Sequence, residues 1–521
     1  MLLPTESALI ERYRNLPESA RCLFVRLANR RRSVLRHSRL QYPEIPDLTL
    51  AIKTLETANL ITTDPQHLCE DLLGWLREYT KPELMRLFTL DLKSGQLNKA
   101  ECLDLILRCK EAEVIAQNLS AYDPALSLRA EPELQVIKFL FFGSLNRDME
   151  QFVLRDLGQV VFEALDTKLV PAYFLNRQHL QDCLAMRLLH QEFRSQLEQL
   201  SPVGLAQWYE VQRQQHQNLH PDAARELARL SVQVGITLER SGLLEAALVC
   251  YGQSEQATAR ERRVRLLHRL QRSEDALAVC REIQAKPNNG GEQIFAEDFA
   301  LAIQTGRTRR AVTRHLKTAS KLVLPQTTQR VEEAVLAYFR TQGWQGLYAE
   351  NLPWRSLLGL LLWDVLYDER GGGLINPLQR NPVDLWSPDF YHQRQAAIDL
   401  ALERLNHRKG VWSWLEQQIS AKWGIANPLV IWIPELPELL RQLSNYLQPS
   451  QLRAVLLKML SNVRDQAHGF PDLLLWCDGQ YRLLEVKSPT DRLSDQQLYW
   501  LRSFKQLGIC ADVVQVRWVA D

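Results

Sequence analysis

The sequence has few of the features that mark exported proteins, membrane proteins or proteins with structural zinc sites. Its nine cysteines are scattered without a CxxC pair, which argues against zinc sites and a disulfide framework and favours a reducing compartment. The first residues, MLLPTESALIERYR, lack a basic start followed by an apolar core, and the most apolar later run, at 357–363, stops at Asp364. We therefore expect neither an export signal nor a membrane segment.

Net charge is also almost absent. The formal charge of the 521 residues is only +2, so any surface that binds nucleic acid must be a local patch. A content of 46% apolar and 24% charged residues is typical of soluble globular proteins, and this length suffices for about three or four domains. The chain is predicted to fold into several domains with large cores.

The chain is predicted to be organised around an apolar hairpin that carries three charged residues, FPDLLLWCDGQYRLLEVK at 470–487. Asp478-Gly479 is a strong signal for a two-residue turn between two strands. This turn places Asp472 opposite Glu485. Because side chains alternate along a strand, Glu485 and Lys487 project to the same side of the hairpin. Two carboxylates and an amine are therefore expected to converge.

This convergence admits two interpretations. The first is a surface ion pair on a hairpin. The second is the PD-(D/E)xK nuclease signature, in which carboxylate oxygens hold Mg²⁺ or Mn²⁺ beside a phosphate and a water molecule. Apolar residues flank both acids, and burying acids is costly unless a cation compensates them, which favours the nuclease. The Val486 carbonyl lies between the acids and is a candidate third ligand.

A further carboxylate, Glu350, precedes a helix start that Asn351 and Pro353 mark. An acid at this position commonly complements the helix dipole, which is the alternative to metal binding. Because the leucine-rich helix must pack on the sheet, Glu350 is expected near the hairpin acids. A capping box at 494–497 begins a later helix, and a last strand is expected at 510–518. Strand, strand, helix, strand is the usual core of this nuclease class.

Basic residues cluster near the start of the chain in VRLANRRRSVLRHSRL, which supplies the candidate DNA contacts Arg30, Arg31 and Arg32. A helical pattern that leads into Ile61-Thr62 follows, as in winged-helix units. A solvated helix face is an equally open alternative. Residues 71–110 show two helices joined by an extended loop, which resembles a SAP module.

Residues 222–320 contain a repeat. EAALVC at 245–250 recurs as DALAVC at 275–280, and this period is typical of the helix pairs of a TPR-like solenoid. Arginines lie between and after these units, namely Arg260, Arg262, Arg263, Arg265, Arg269 and Arg272, then Arg307, Arg309, Arg310 and Arg314. They form either a solvated face or a concave surface that follows a phosphate backbone.

The stretch HGFPDLLLWCDGQYRLLEVKSPTDRLSDQQLYWLRSFKQLG resembles the VRR-NUC (virus-type replication-repair nuclease) domain of the Fanconi-anaemia-associated nuclease family, including its bacterial members. FFGSLNRDMEQFVLRDLG, the arginine-bearing repeats and YAENLPWRSLLGLLLWDVLY resemble the same family in the same order. The resemblance implies Mg²⁺- or Mn²⁺-dependent cleavage of flapped or branched DNA, as a 5′-flap endonuclease and 5′-to-3′ exonuclease that unhooks interstrand crosslinks. The expected location is the bacterial cytoplasm, associated with the nucleoid, or the nucleus of a eukaryote.

Carried over residue by residue, the resemblance assigns metal ligation to Glu350, Asp472, Glu485 and the Val486 carbonyl. It places Lys487 beside the attacking water.

The resemblance also covers residues outside the hairpin. Gln497 matches a family glutamine that follows the core. Arg464 falls where the family has an arginine that helps to seat a 5′ phosphate, and Arg260 and Arg263 lie in the helical region that supplies its partners. Close relatives often have an arginine and a small residue where this chain has QAH at 466–468, which predicts an incomplete phosphate pocket.

The predicted fold is multidomain and mostly α, with a C-terminal α/β PD-(D/E)xK nuclease domain that resembles restriction endonucleases. The predicted domains are a winged-helix-like DNA-binding region at 1–70, a SAP-like and connecting helical region at 71–200, TPR-like repeats at 201–325 and the nuclease at 326–521. Two alternatives remain open. One is a nuclease with the same core that acts on junctions or RNA, and the other is a non-catalytic TPR scaffold.

Overall fold

A computed structural model describes residues 1–30, 32–89, 97–145, 150–166, 168–306, 310–407 and 410–519. The predicted DNA contact Arg31 and the predicted basic residues Arg307 and Arg309 lie outside these ranges. The chain divides into two compact units, Met1–Gln151 and Phe152–Asp521. Helices dominate both units, and an α/β sheet lies at the C-terminal end, which confirms the predicted fold class.

The first unit combines helices with a small antiparallel sheet. Its strands are β1 (Val34–Arg36), β2 (Ile61–Thr62) and β3 (Ala125–Leu128), in the order β1-β3-β2. The helices are α1 (Pro4–Arg14), α2 (Glu18–Ala28), α3 (Leu48–Thr57), α4 (Pro65–Leu68), α5 (Leu72–Arg77), α6 (Lys81–Leu87), α7 (Lys99–Cys109), α8 (Ala112–Tyr122) and α9 (Glu131–Phe142), and α10 (Glu150–Asp156) follows. Capping boxes at Thr80 and Asn98 begin α6 and α7, the two helices predicted within 71–110.

The second unit begins with packed helices. They are α11 (Arg177–Gln199), α12 (Pro202–Gln215), α13 (Pro221–Arg240), α14 (Leu244–Tyr251), α15 (Ala257–Arg269), α16 (Ser273–Ala285), α17 (Gly290–Thr305) and α18 (Ala311–Thr318). The repeated sequence motifs form α14 and the start of α16, and their equivalent cysteines, Cys250 and Cys280, are both buried. The thirty-residue repeat therefore corresponds to successive helix pairs.

A five-stranded sheet follows, in the order β4-β8-β7-β6-β5. Its strands are β4 (Ser320–Pro325), β5 (Gln345–Tyr348), β6 (Leu473–Cys477), β7 (Gln480–Lys487) and β8 (Ala511–Val519). Strands β5, β6 and β7 are antiparallel, whereas β8 runs parallel to both β7 and β4. The predicted core of β6, β7, helix and β8 is confirmed, and the sequence did not predict the two outer strands.

Helices cover both faces of this sheet. They are α19 (Val331–Thr341), α20 (Leu352–Leu361), α21 (Trp363–Leu366), α22 (Phe390–Gln393), α23 (Gln395–Leu402), α24 (Val411–Lys422), α25 (Leu436–Tyr446), α26 (Pro449–Leu460), α27 (Val463–Gln466) and α28 (Asp495–Gln506). Leu473 and Leu475 pack with Val335 of α19, and the alternate residue Leu474 joins the core of α20 and α28. Because both faces of β6 are buried, the two-residue turn at Asp478-Gly479 sets the register of the hairpin.

None of the helices in the described ranges has both the length and the apolar composition that crossing a bilayer requires.

Candidate active site

The hairpin holds Asp472 and Glu485 opposite each other. Leu473 pairs with Leu484 across β6 and β7, so the preceding Asp472 lies beside Glu485. The turn residues Asp478 and Gly479 have φ of 46° and 78°, the left-handed geometry that matches the twist of a two-residue hairpin. The Asp472 carboxylate also accepts a 2.8 Å hydrogen bond from the Val486 backbone N–H. The predicted hairpin and its register are confirmed.

Burial and like charge both act on these two acids. Glu485 is only 1% exposed, and burial together with the charge of Asp472 raises the pKa of Glu485 to about 8. Burial also raises the pKa of Asp472 to about 6, although the Val486 N–H and the charge of Lys487 act in the opposite direction. Both acids resist ionisation because burial disfavours their charged forms, and a bound cation would favour those forms again.

Lys487 and Gln497 fix the orientation of Glu485. The Lys487 ammonium lies 2.8 Å from Glu485 Oε1, and Gln497 Nε2 donates a 2.5 Å hydrogen bond to the same oxygen. Gln497 Oε1 in turn accepts from the Ser494 backbone N–H at 2.9 Å, so one glutamine both caps α28 and orients the acid. Both of these contacts to Glu485 end on Oε1, which leaves Oε2 as the oxygen for a cation.

Glu350 reaches the hairpin acids from the end of β5. The backbone N–H groups of Ala349 and Glu350 both donate to the Asp472 carbonyl, at 2.7 and 3.0 Å. Glu350 has a φ of 32°, a left-handed conformation that glutamate rarely adopts and that surrounding contacts must hold. Its charge raises the pKa values of both Asp472 and Glu485. The structure therefore brings together the three acids that the sequence singled out.

Two neighbours hold the Glu350 side chain, and the sequence assigned this role to neither of them. The Tyr348 hydroxyl donates to Glu350 Oε2, and Asn351 Nδ2 donates to Oε1 at 2.9 Å. Asn351 Oδ1 also accepts from the Phe470 backbone N–H at 3.2 Å, which ties this loop to the start of the hairpin. Asn351 was predicted to cap α20, but its side chain makes no capping hydrogen bond and serves Glu350 instead.

A fourth acid was also missed. Glu332 lies in the first turn of α19, and its charge raises the pKa of Asp472. Its sequence context, an acid at a helix start, is the ordinary complement to the helix dipole and carries no signal of its own.

These residues fit a divalent cation. Three carboxylates and a backbone carbonyl form an all-oxygen donor set, which suits hard cations such as Mg²⁺ and Mn²⁺. Glu350, Asp472 and Glu485 meet in a partly buried site, where the Lys487 ammonium contacts Glu485. Burying several ionised carboxylates with one ammonium group beside them is unfavourable. A bound divalent ion would add enough positive charge to make their burial favourable.

The contacts of Tyr348 lead to a prediction about metal affinity. Tyr348→Phe removes the donor to Glu350 while retaining the ring, so we expect Mn²⁺ to bind about tenfold more weakly, the usual scale for losing a hydrogen bond to a metal ligand. Titration monitored by electron paramagnetic resonance measures this affinity without DNA. Tyr338→Phe on α19 is the matched control. An unchanged affinity for Tyr348→Phe would show that this hydroxyl does not orient Glu350.

A second group of three possible metal ligands lies among the helices of the second unit. Ligand atoms of His179, His220 and Asp222 all lie within 4.8 Å of one another. However, His179 Nδ1 accepts from the Leu175 backbone N–H, and His220 Nδ1 accepts from the Asp222 backbone N–H, both at 3.3 Å. A neutral ring that accepts at Nδ1 carries its proton on Nε2, which then has no lone pair for a metal. This group is better explained as a hydrogen-bonded junction between α11 and α13.

A basic cavity of about 790 Å³ lies between the helical repeats and α27. We call it the arginine cavity, after its lining residues Arg225, Arg229, Arg262, Arg265 and Arg464. Burial lowers the pKa of Arg229, its ion pair with Glu226 acts in the opposite direction, and the charges of Arg464, Arg187 and Arg225 lower it further. Four of these arginines form ion pairs, namely Arg225 with Asp222, Arg229 with Glu226, Arg262 with Glu239 and Arg265 with Glu261. The exposed Arg464 and the remaining repulsion between neighbouring guanidinium groups still favour an anionic ligand.

The predicted phosphate contacts near this cavity have different environments. Arg464 lines the cavity and is exposed. Arg260 is 7% exposed, and its guanidinium makes two hydrogen bonds of 2.8 and 2.6 Å to the fully buried Glu292. This buried ion pair joins α15 to α17, which gives Arg260 a structural role and removes it from our proposed phosphate contacts. Arg263 is half-buried and is not among the described residues that line the arginine cavity. Its contact with DNA stays a prediction.

The N-terminal arginines are partly engaged within the first unit. Arg30 donates to the Tyr42 hydroxyl at 3.1 Å and lies over its ring. Arg32 pairs with the buried Glu78 but keeps a side chain that is 59% exposed. Their binding to DNA stays a prediction.

Known proteins resemble both ends of the chain. The family model described as the VRR-NUC domain matches residues 406–518, and the one described as the FAN1 HTH domain matches residues 1–62. A Fanconi-associated nuclease 1 homolog from Pseudomonas aeruginosa is 28% identical, covering 99% of this chain and 92% of the relative. A Fanconi-associated nuclease 1 homolog from Arabidopsis thaliana is 24% identical, covering 98% of this chain and 64% of the relative.

A solved structure resembles the chain over its full length. The crystal structure of paFAN1 bound to a 2-nt 5′-flap DNA with a gap has a TM-score of 0.82 and 26% sequence identity, and the match covers 100% of this chain and 95% of that one. The similarity therefore includes the repeats, the sheet and the loop that carries Glu350. From the two domain matches, the full-length relatives and the shared fold, we conclude that the chain belongs to the Fanconi-associated nuclease 1 family and carries a VRR-NUC domain.

Proposed function

We propose that this protein is a divalent-metal-dependent, structure-specific DNA nuclease with 5′-flap endonuclease and 5′-to-3′ exonuclease activity. Its substrates would be flapped or branched DNA, its cation Mg²⁺ or Mn²⁺, and its role DNA repair such as the unhooking of interstrand crosslinks. We place this activity in the bacterial cytoplasm, at the nucleoid, or in the nucleus if the protein is eukaryotic. Within the chain, we assign DNA binding to residues 1–70 and cleavage to residues 326–521.

A single observation supports catalysis most strongly. Asp472 and Glu485 come from one hairpin and Glu350 from a distant loop, yet their charges act on one another, and Lys487 contacts Glu485 directly. A scaffold protein has no use for acids whose burial raises their pKa values and thereby destabilises the ionised forms. This arrangement argues for a catalytic domain and against the non-catalytic TPR scaffold.

Each residue has a distinct role in the proposed reaction. Glu350, Asp472, Glu485 and the Val486 carbonyl would hold the cation, which when bound neutralises charge on the scissile phosphate and lowers the pKa of a water molecule. Lys487 orients the attacking water with its N–H groups. Gln497 keeps the Glu485 carboxylate in place through its 2.5 Å hydrogen bond. Catalysis then rests on positioning and electrostatics, and the products carry a 5′ phosphate and a 3′ hydroxyl.

The proposed substrate rests on two observations. The structural relative paFAN1 is bound to 5′-flap DNA, and the present chain shares its fold over its full length. The arginine cavity offers guanidinium groups that suit a phosphate, and a terminal phosphate presents more charge than one within a strand. The stretch Gln466-Ala467-His468 stands where close relatives often have an arginine and a small residue, so we propose that Arg229 and Arg464 carry most of the phosphate contact.

Digestion of matched substrates tests this function. The purified protein is incubated with 5′-flap DNA, a four-way junction and RNA of the same sequence, with Mn²⁺ or with chelator, and the cuts are mapped on each strand. We expect cleavage near the flap only with Mn²⁺. Preferred cutting of the junction or of RNA would replace the proposed substrate, and no metal-dependent cutting of any of them would refute a nuclease.

Arg464→Ala should weaken binding to 5′-flap DNA through the loss of one phosphate contact. We expect an affinity about tenfold lower at low salt and a slope of log K against log salt that is smaller by about 1. Fluorescence anisotropy across a salt series measures both quantities. Arg441→Ala, an exposed arginine on α25, is the control and should keep the wild-type slope. An unchanged slope for Arg464→Ala would remove the arginine cavity from the DNA path.

A further inference from the structure

Two consecutive glutamines at the start of α28 belong to two different sites. Gln497 Nε2 donates to Glu485 Oε1 in the candidate active site. The preceding residue, Gln496, lines the arginine cavity. Consecutive helical residues point about 100° apart, so one turn of helix presents a side chain to each site. Any shift of this turn would therefore affect both sites.

The cavity wall holds Gln496 firmly. Its side chain is 8% exposed, Oε1 accepts from the Gly291 backbone N–H at 2.8 Å, and Nε2 donates to Gln466 Oε1 at 2.8 Å. Gly469 packs against it so closely that a Cβ there would lie 2.8 Å from Gln496 Cγ. A buried amide with both ends hydrogen-bonded has a single orientation, and it transmits the position of its partners.

One partner of Gln496, Gly291, lines the cavity, and the other, Gln466, follows the lining residue Asp465 in α27. At the start of α17, a Cβ on Gly290 would lie 2.1 Å from Tyr499 Cγ, so the backbone of α17 rests directly on α28. Asn289 caps α17 and donates to Asp465 Oδ2 at 3.2 Å, next to Arg464. The arginine cavity and the first turn of α28 are therefore one packed assembly, with little room for either to move alone.

We propose that Gln496 is a positioning residue through which a terminal phosphate in the arginine cavity aligns Gln497 and Glu485. The inference rests on the proposed function and adds to it a coupling between recognition of the 5′ end and cleavage. A phosphomonoester in the cavity draws Arg464 and Arg229 together by neutralising their repulsion. The segments that carry Gly291 and Gln466 then move closer together, and the two hydrogen bonds of Gln496 transmit this constraint to α28.

Cleavage of two substrates that differ only at the 5′ end of the flap tests the coupling. One carries a phosphate and the other a hydroxyl, and kcat and KM are measured with Mn²⁺ for the wild type, Gln496→Ala and Gln506→Ala. Gln506 is exposed at the far end of the same helix and serves as the matched control. The wild type and the control should have a kcat about tenfold higher with the phosphate, whereas Gln496→Ala should cleave both at the hydroxyl rate.

A second measurement does not depend on turnover. Mn²⁺ affinity is measured in the presence of the same two flaps made with uncleavable linkages. The wild type should bind Mn²⁺ about fivefold more tightly with the phosphorylated flap, a typical coupling between sites, and Gln496→Ala should show no difference. Gln466→Ala removes the other support of Gln496 and should reproduce this pattern. Because each variant is compared with itself on two substrates, a general loss of stability does not mimic the result.

Two outcomes would overturn the coupling and leave the nuclease assignment intact. In the first, the wild type cleaves both flaps with the same kcat. In the second, Gln496→Ala lowers kcat by the same factor on the phosphorylated and the hydroxyl flap. A wild type that cleaves neither flap with Mn²⁺ would overturn the proposed function and the coupling with it.

Discussion

Asp472→Asn is expected to abolish cleavage of 5′-flap DNA while leaving DNA binding nearly intact. The amide keeps the size of the side chain and an oxygen that can accept from Val486 N–H, but it removes the negative charge that the cation needs. We expect a loss of at least about 10³-fold in the single-turnover rate, the scale for removing a group that acts only on the transition state. Affinity should change less than about threefold, because the proposed phosphate contacts lie in the arginine cavity.

The control for this variant lies in the same hairpin. Asp478→Asn also removes one carboxylate, at the turn, where asparagine tolerates the left-handed conformation. It should cleave at the wild-type rate. Single-turnover cleavage with Mn²⁺ and fluorescence anisotropy with Ca²⁺ separate chemistry from binding. Cleavage by Asp472→Asn near the wild-type rate would remove the hairpin acids from the active site.

Glu485→Gln is expected to stabilise the metal-free protein, and to do so increasingly as pH rises. The pKa of Glu485 is raised from its ordinary 4.5 to about 8 in the fold, first by burial and then by Asp472. Between these values the folded state binds more protons than the unfolded state, so the stability of the wild type falls as pH increases. Glutamine stays neutral and avoids this loss. The difference should be near zero below pH 4.5 and complete above pH 8.

The expected gain at pH 8 is on the order of 1–3 kcal/mol, less than the full shift in pKa implies, because the substitution also leaves the Lys487 ammonium without its closest carboxylate. Thermal unfolding midpoints at pH 5 and pH 8 in chelator measure the effect. Glu416→Gln, an exposed acid on α24, is the control and should show no trend. Added Mn²⁺ should stabilise the wild type more than the variant. If the gain in stability of Glu485→Gln over the wild type became smaller as pH rises, the result would contradict the burial of the Glu485 charge.

The sequence predicted the hairpin well because its signals are local. A two-residue turn, alternating strands and a capping box each involve residues that are close in the chain, so they do not depend on the remaining fold. Strands β4 and β5 were missed for the opposite reason. Both lie at the edges of the sheet, and neither is a fully buried run, so their pairing with β8 and β6 decides their conformation.

The same contrast applies to the side chains of the site. Glu350 could be placed near the hairpin because a leucine-rich helix must cover the sheet. The contact between Tyr348 and Glu350 depends on the positive φ of Glu350, and no sequence pattern predicts that backbone conformation. The arginines show most clearly that a sequence pattern does not predict the partners of a side chain. Arg260 and Arg262 lie on the same helix, yet only Arg260 meets the buried Glu292, which is distant in sequence.

The central claim is that Glu350, Asp472 and Glu485 hold a divalent cation. Anomalous diffraction from crystals grown with Mn²⁺ tests it directly. We predict a peak bounded by these three carboxylates and the Val486 carbonyl. Crystals of cleavage-competent protein that show no peak there, or that show one only between His179, His220 and Asp222, would contradict the claim.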